Sequence, residues 1–443
     1  VSGRGQAIWR PFVWASLGIA IVAGFGLGGL LFLAAAGDAA LGLWWPAAAQ
    51  AHGHAQVFGW AGLMVLGVGF HFLPRLLGAP LYQPEWARWV LGLIAGGILL
   101  RAIAQPALAT DAFERFRTAA RMTLSASGVL ELAGASLAVW LLGRTVRAGL
   151  DTRKSAEMKA VLPFFLTAFA GLWLGLAINA LAVIRAADRG DALLLHATDR
   201  LMLPVTFYLF LIPVAVAMAA RTFSLYFRTP PPRKRMLDVG LVLLIAGLGC
   251  RLLGEHRDLT RMTAGGEVLL AGSVGCFVVG LGIFARRLPL PRRPVRPLRD
   301  PIQLHAITAF GWLLVAAMQL LLRGADGLGA WGWRAPLDAE WHALGAGFVT
   351  LLILGVGAHL LPGFARLPLR SMGLVWATLF LANGAALLRV GPTLAGNCLS
   401  LTTSRSLTGS AGLLGLVALI VFAVNLRGVR RSAISTVDAR GNH

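Results

Sequence analysis

Five histidines fall within two related apolar runs of this chain. The stretch "AHGHAQVFGWAGLMVLGVGFHFLPRL" (51–76) carries His52, His54 and His71, and "EWHALGAGFVTLLILGVGAHLLPGFARLPL" (340–369) carries His342 and His359. Setting His54 on His342 brings His71 onto His359, because each pair spans 17 residues. Gly67, Gly69, Leu73 and Pro74 then fall on Gly355, Gly357, Leu361 and Pro362. An ionisable side chain within an apolar span is costly and therefore a functional candidate. Neutral imidazole is a favoured ligand for iron, copper and zinc. Two parallel helices with histidine at matched depths can each offer a metal one axial ligand. His342 would pair with His54 or His52 at one level, and His71 with His359 about 25 Å away at another. His52 and His54 point to different faces of their helix, so one of them serves a second metal or the surface.

The glycines before His71 and His359 favour a flat macrocycle, haem b in one or two copies, over a small ion. Glycine is disfavoured inside a helix but lets a large ring, or alternatively another backbone, approach closely. Arg101 in "GGILLRAIAQ" and Arg389 in "GAALLRVG" each lie 47 residues after a repeat histidine, His54 and His342. They either neutralise haem propionates or snorkel to the interface; Arg251 in "GLGCRLLGE" is a vestigial third member. His196 is a loop histidine or a third ligand at the His54 level. His305 lies at the depth of His71 and His359, and three histidines at one depth could bind copper instead. Glu131 handles protons or is a hydrogen-bonded buried acid; His256 and His443 are solvated.

The elements that must position these residues are membrane helices. The chain has 443 residues, 57% hydrophobic and 13% charged, and apolar runs of spanning length recur throughout. Twelve spans fit, at 12–36, 52–76, 87–108, 123–146, 160–185, 199–223, 236–255, 264–286, 302–323, 341–365, 371–391 and 408–428. The fold class is an all-α polytopic membrane protein, a single transmembrane domain. The first run reads as a retained span, not a signal peptide. Cys250, Cys276 and Cys398 form no CxxC pattern, which excludes a disulfide framework or covalent c-type haem. The net charge of +21 sits at every second junction, in "RTVRAGLDTRK", "RTPPPRKR", "RRLPLPRRPVRPLR", "RLPLR" and "RGVRR". Asp38, Asp111, Glu114, Asp188, Asp191, Asp338 and Glu340 occupy the intervening loops. That asymmetry puts both termini in the cytoplasm of a bacterial cell, beside anionic lipid, and argues against a nucleic-acid partner.

Spans 2, 6 and 10 are four helices apart, which implies three pseudo-repeated arcs of four helices, about 1–150, 151–290 and 291–443. Parallel repeats also occur in transporters, so symmetry alone does not set the function.

Together the repeat, the twelve spans and several short motifs resemble the NnrS family of haem- and copper-containing membrane proteins associated with nitric oxide metabolism. "RPFVW" (10–14), "HGHA" (52–55), "FLPRLLGAPL" (72–81), "DPIQLHAITAFGW" (300–312) and "WHALGAGFVTLLILGVGAHLLPGF" (341–364) carry the resemblance. It implies roles for His52, His54, His305 and His342. Ala55 stands where the family has glutamate, and His71 and His359 stand where it has other residue types. The chain is also similar to the haem-copper oxidase catalytic subunit, whose spans 2 and 10 hold a low-spin haem. Spans 6 and 7 here lack the histidines of that family's copper site, so oxygen reduction at such a centre is not expected.

Three functions follow. An NnrS-like haem protein would act in redox or nitric oxide chemistry. A transmembrane di-haem cytochrome b would carry electrons in a respiratory complex, exchanging them with a quinol or another respiratory subunit. A cofactor-free, proton-coupled transporter would bind an anion on its arginines. No Ser/His/Asp or HExxH arrangement supports hydrolysis, and whether the chain is an oxidoreductase stays open.

Overall fold

A computed structural model of the chain describes residues 8–37, 41–150, 152, 158–288, 297–329 and 335–427. Asp38, His443 and parts of three basic clusters lie outside the described residues. The described residues are almost all helical, and twelve helices are long and apolar enough to cross a membrane. The chain is an all-α polytopic membrane protein, so lipid is its surrounding. The spans are α1 (Trp9–Ala36), α2 (Trp44–Leu77), α3 (Pro84–Leu108), α4 (Glu114–Gly149), α5 (Leu162–Arg189), α6 (His196–Tyr226), α7 (Lys234–His256), α8 (Thr260–Leu281), α9 (Pro301–Gly327), α10 (Leu337–Ala365), α11 (Met372–Ala395) and α12 (Leu401–Asn425). Within a bilayer every backbone group must bond inside the protein, and helices achieve this segment by segment.

Local sequence sets several boundaries. Asp300 caps α9 by accepting from the Ile302 amide at 3.0 Å, with Pro301 in the first turn. Ser371 and Ser400 cap α11 and α12 in the same way. Gly78 ends α2 at φ 67°, a conformation a side chain would resist.

Successive helices pack side by side, and α12 closes the circuit against α1. α2, α6 and α10 are the most buried spans and face the centre. Each contains a π-helical segment, at Ala55–Gly62, Val205–Leu211 and Ala343–Val349, and α1 has another at Ala20–Gly26. A π-turn widens the helix and frees backbone groups from regular pairing. Mid-bundle, Trp60 Nε1 donates to Thr350 Oγ1 at 3.1 Å, joining α2 to α10, while the Thr350 hydroxyl donates to the Gly345 carbonyl.

Two repeat glycines do helix packing. A Cβ on Gly67 would lie 2.4 Å from Phe12 Cβ of α1, and one on Gly355 would lie 2.4 Å from His305 Cβ of α9. These seats are taken by neighbouring helices and not by a macrocycle. The close fit also makes α9 to α10 what α1 is to α2. Gly355→Ala is therefore expected to destabilise by about 1–3 kcal/mol of overpacking, despite alanine's better helix propensity. Gly96→Ala, where nothing lies within 4 Å, should not. Thermal melting in detergent checks both.

Candidate functional site: a histidine-lined cavity at one end of the bundle

The end of the bundle that carries His52 and His342 is termed upper, and the end that carries His71 and His359 lower. Between α1, α2, α6, α10, α11 and α12 at the upper end lies a cavity of about 460 Å³, within the range of cofactor sites. Phe25, Phe32, Trp45, Trp60, Phe207 and Trp341 give it aromatic walls. Its polar wall includes His52, His54, His196, Asp199, Asp338, His342 and Arg389.

His52 is set by α1. Gly24 leaves helical geometry within the π-segment (φ −88°, ψ −111°), and its carbonyl accepts from His52 Nδ1 at 2.9 Å. Gly28 makes room for the ring, because a Cβ there would lie 2.6 Å from His52 Cε1. His342 is set by its own helix. Its Nδ1 donates to the Asp338 carbonyl at 2.8 Å and lies 3.2 Å from the Asp338 carboxylate. That carboxylate accepts from Arg389 of α11 at 2.7 and 2.8 Å, and the guanidinium also lies 5.1 Å over the Phe32 ring. In both histidines Nδ1 carries the proton, because a carbonyl only accepts. In the neutral imidazole Nε2 then keeps its lone pair, and no hydrogen bond to it is present among the described residues. Outer partners that fix the tautomer in this way are the usual support of a metal-ligating histidine.

His54 has a different neighbour. Its Nε2 lies 2.6 Å from Glu131 Oε2 of α4, and the two residues are 1% and 0% exposed. A Cβ on Gly97 would lie 2.4 Å from Glu131 Cγ, so that glycine admits the acid. Glu131 is thus a hydrogen-bonded buried acid paired with histidine. Arg101, despite matching Arg389 in spacing, lies outside the cavity wall. It donates to Gln105 Oε1 at 2.9 Å and to Asn179, and is 1% exposed. It neither snorkels nor reaches the cavity. The expected arginine pair is thus one arginine, Arg389, already held by Asp338.

The lower histidines occupy separate surroundings. His71 lies 4.1 Å from the Phe364 ring of α10, tilted by 42°, and 6.3 Å from the Trp9 ring. His359 lies 4.4 Å from the Tyr226 ring of α6, tilted by 55°. His305 is fully buried and its Nδ1 donates to the Pro301 carbonyl at 2.7 Å. The structure does not bring these three together, and no group of three or more metal-binding side chains occurs among the described residues. His196 lines the upper cavity, at the first residue of α6 rather than in a loop.

Several residues escaped the reading of the sequence. Asp338 and Glu340, assigned to a loop, belong to the first turns of α10. The signal for Asp338 was its four-residue spacing from His342. Glu340 is 0% exposed and anchors a buried ionic cluster. Its Oε1 accepts from Arg251 at 3.0 Å and from the Tyr208 hydroxyl at 2.7 Å, and its Oε2 accepts from Arg323. Arg323 Nε donates in turn to Glu267 at 2.8 Å. Arg251 is thus a member of a five-helix polar cluster and not a remnant. Gly24 and Gly28 were legible only as "GFGLGG", a glycine-dense run inside one span.

No protein-family model matches the chain, and no curated protein matches it.

Proposed function

We propose that this chain is a haem-b-binding integral membrane protein acting in redox or nitric oxide chemistry, with one haem held between His52 and His342. The observation that carries this reading is the pair of imidazoles in one aromatic cavity, each with Nδ1 spent on a carbonyl and Nε2 left as a ligand. Two protein nitrogens suit a macrocycle that brings four of its own, whereas a bare transition-metal ion is usually held by three or more side chains. Arg389 supplies a cation at the cavity wall for a propionate. His52 and His342 would hold the group, and haem b, when bound, would supply one-electron chemistry and diatomic-ligand binding. The NnrS resemblance supports the same assignment, since its motifs include His52 and His342.

On the charge asymmetry of the loops, we place the protein in a bacterial inner membrane with both termini cytoplasmic and the upper cavity at the outer face. Electrons would come from a quinol or another respiratory subunit. The test is a reduced-minus-oxidised spectrum of purified protein, with haem quantified per chain. One b-type haem is expected. A colourless protein, expressed with ample haem, would overturn the reading and bring forward the anion transporter. Two haems, one of them lost in His71→Ala, would replace it with the transmembrane cytochrome.

A further inference from the structure

Below the histidine cavity lies a second space, formed where α2, α6 and α10 meet, with α4 and α5 completing its wall. It measures about 130 Å³, and Met64, Val68, Phe165, Met218, Ile353 and Val356 are among its lining residues. Every lining residue is buried or half-buried. Its lining holds a single polar side chain, Thr222, whose hydroxyl donates to the Met218 carbonyl at 2.7 Å. A buried water needs two to four polar partners, and this wall offers at most the one hydroxyl oxygen of Thr222, so the chamber is dry. An engineered apolar cavity of about 150 Å³ stays dry in the same way and takes up benzene or xenon. The chamber is too small for a quinone ring with its tail, and any charged or hydrogen-bonding solute would lose its hydration there without compensation.

Its position relative to the upper cavity is specific. Leu211 and Val349 line both spaces. Each is the last residue of a π-helical segment, Leu211 in α6 and Val349 in α10. Two apolar side chains, standing where wide turns return to regular helix, form part of the partition between the chambers. A rotamer change there costs no hydrogen bond.

We infer that this chamber is a binding site for a small, uncharged, poorly hydrated molecule of the diatomic-gas class, passed to the His52–His342 cavity between Leu211 and Val349. Such a molecule dissolves well in the lipid core and needs no polar partner. The binding site stands on the cavity alone, while the transfer step rests on the proposed haem.

The first test is a crystal of the full chain pressurised with xenon. A xenon peak beside Val68, Met218 and Ile353 is expected, and it should disappear in Val356→Phe; Ala215→Leu serves if that variant does not fold. Ordered water, the continuous density of a lipid acyl chain, or no xenon at all would overturn the site. The second test uses Val349→Phe, which thickens the partition. Xenon should remain in the lower chamber, while the rate of carbon monoxide binding to the reduced protein falls at least tenfold. An unchanged rate would overturn the transfer route and leave the haem intact. A wild type that carries haem but gives no carbon monoxide response overturns the transfer route, a colourless one strikes the haem reading, and in either case the xenon result still decides the site.

Discussion

Glu340→Ala is expected to cost the fold about 3–5 kcal/mol, the usual penalty for removing one partner of a buried ion pair. The carboxylate is 0% exposed and receives Arg251, Arg323 and the Tyr208 hydroxyl from three other helices. Removing it leaves Arg323 with Glu267 at 2.8 Å, and the buried Arg251 with only the half-buried Glu255 at 3.4 Å. The sign of the compensating variant distinguishes charge from packing. Arg251→Met combined with Glu340→Met removes one charge of each sign and keeps the Arg323–Glu267 pair at 2.8 Å. That double variant should recover most of the loss, because well-packed apolar replacements of a buried pair are often neutral. Chemical or thermal denaturation in detergent measures both. Equal destabilisation by the single and double variants would show that shape, and not charge balance, holds these five helices together.

Haem retention should divide His342→Ala from His52→Ala. His342 is braced by the Asp338 carbonyl and carboxylate, and Arg389 pins that carboxylate to α11. His52 has one brace, the Gly24 carbonyl. Losing an outer partner of a ligating histidine costs about 10–100-fold in affinity, and losing the better-braced histidine itself should cost at least as much. His342→Ala is therefore expected to be purified with less than about a tenth of the wild-type haem, and Asp338→Ala with an intermediate amount. His52→Ala should keep haem and bind carbon monoxide more readily, because the side it vacates is the yielding one. Pyridine haemochrome assay and the reduced carbon monoxide difference spectrum read the two effects. Equal haem loss in both variants would remove the proposed asymmetry, and full haem in both would place the cofactor elsewhere.

The repeat glycines show where inference from residue type reaches its limit. Their spacing before His71 and His359 was plain, but glycine equally admits a flat ring or a neighbouring helix. Contacts with Phe12 and His305 select the helix at Gly67 and Gly355. Arg101 and Arg389 share one spacing yet meet different partners, Asn179 and Gln105 in one case and Asp338 in the other. Spacing along a helix gives depth and face; it does not give the identity of the neighbour. Glu340 looked like a loop acid because its arginine partners are 89 and 17 residues away along the chain.

Twelve apolar segments, the related histidine runs and the two histidine depths were determined by the amino-acid order alone. The bilayer is the physical reason, since it accepts only helices of spanning length and converts residue number into depth. Tertiary structure alone decided which histidines share a space. His71 meets Phe364 of α10, and His359 meets Tyr226 of α6. The upper cavity is lined from α2 and α10 by matched positions, His54 and His342 among them, together with His52. His342 faces it from α10, while from α2 it receives His52, whose Nδ1 is held by the Gly24 carbonyl, and His54, whose Nε2 is bonded to Glu131. The alignment pairs His54 with His342; what separates His54 from His52 is the side-chain partner, Glu131 of α4 for one and the Gly24 carbonyl of α1 for the other, and such partners lie far away along the chain.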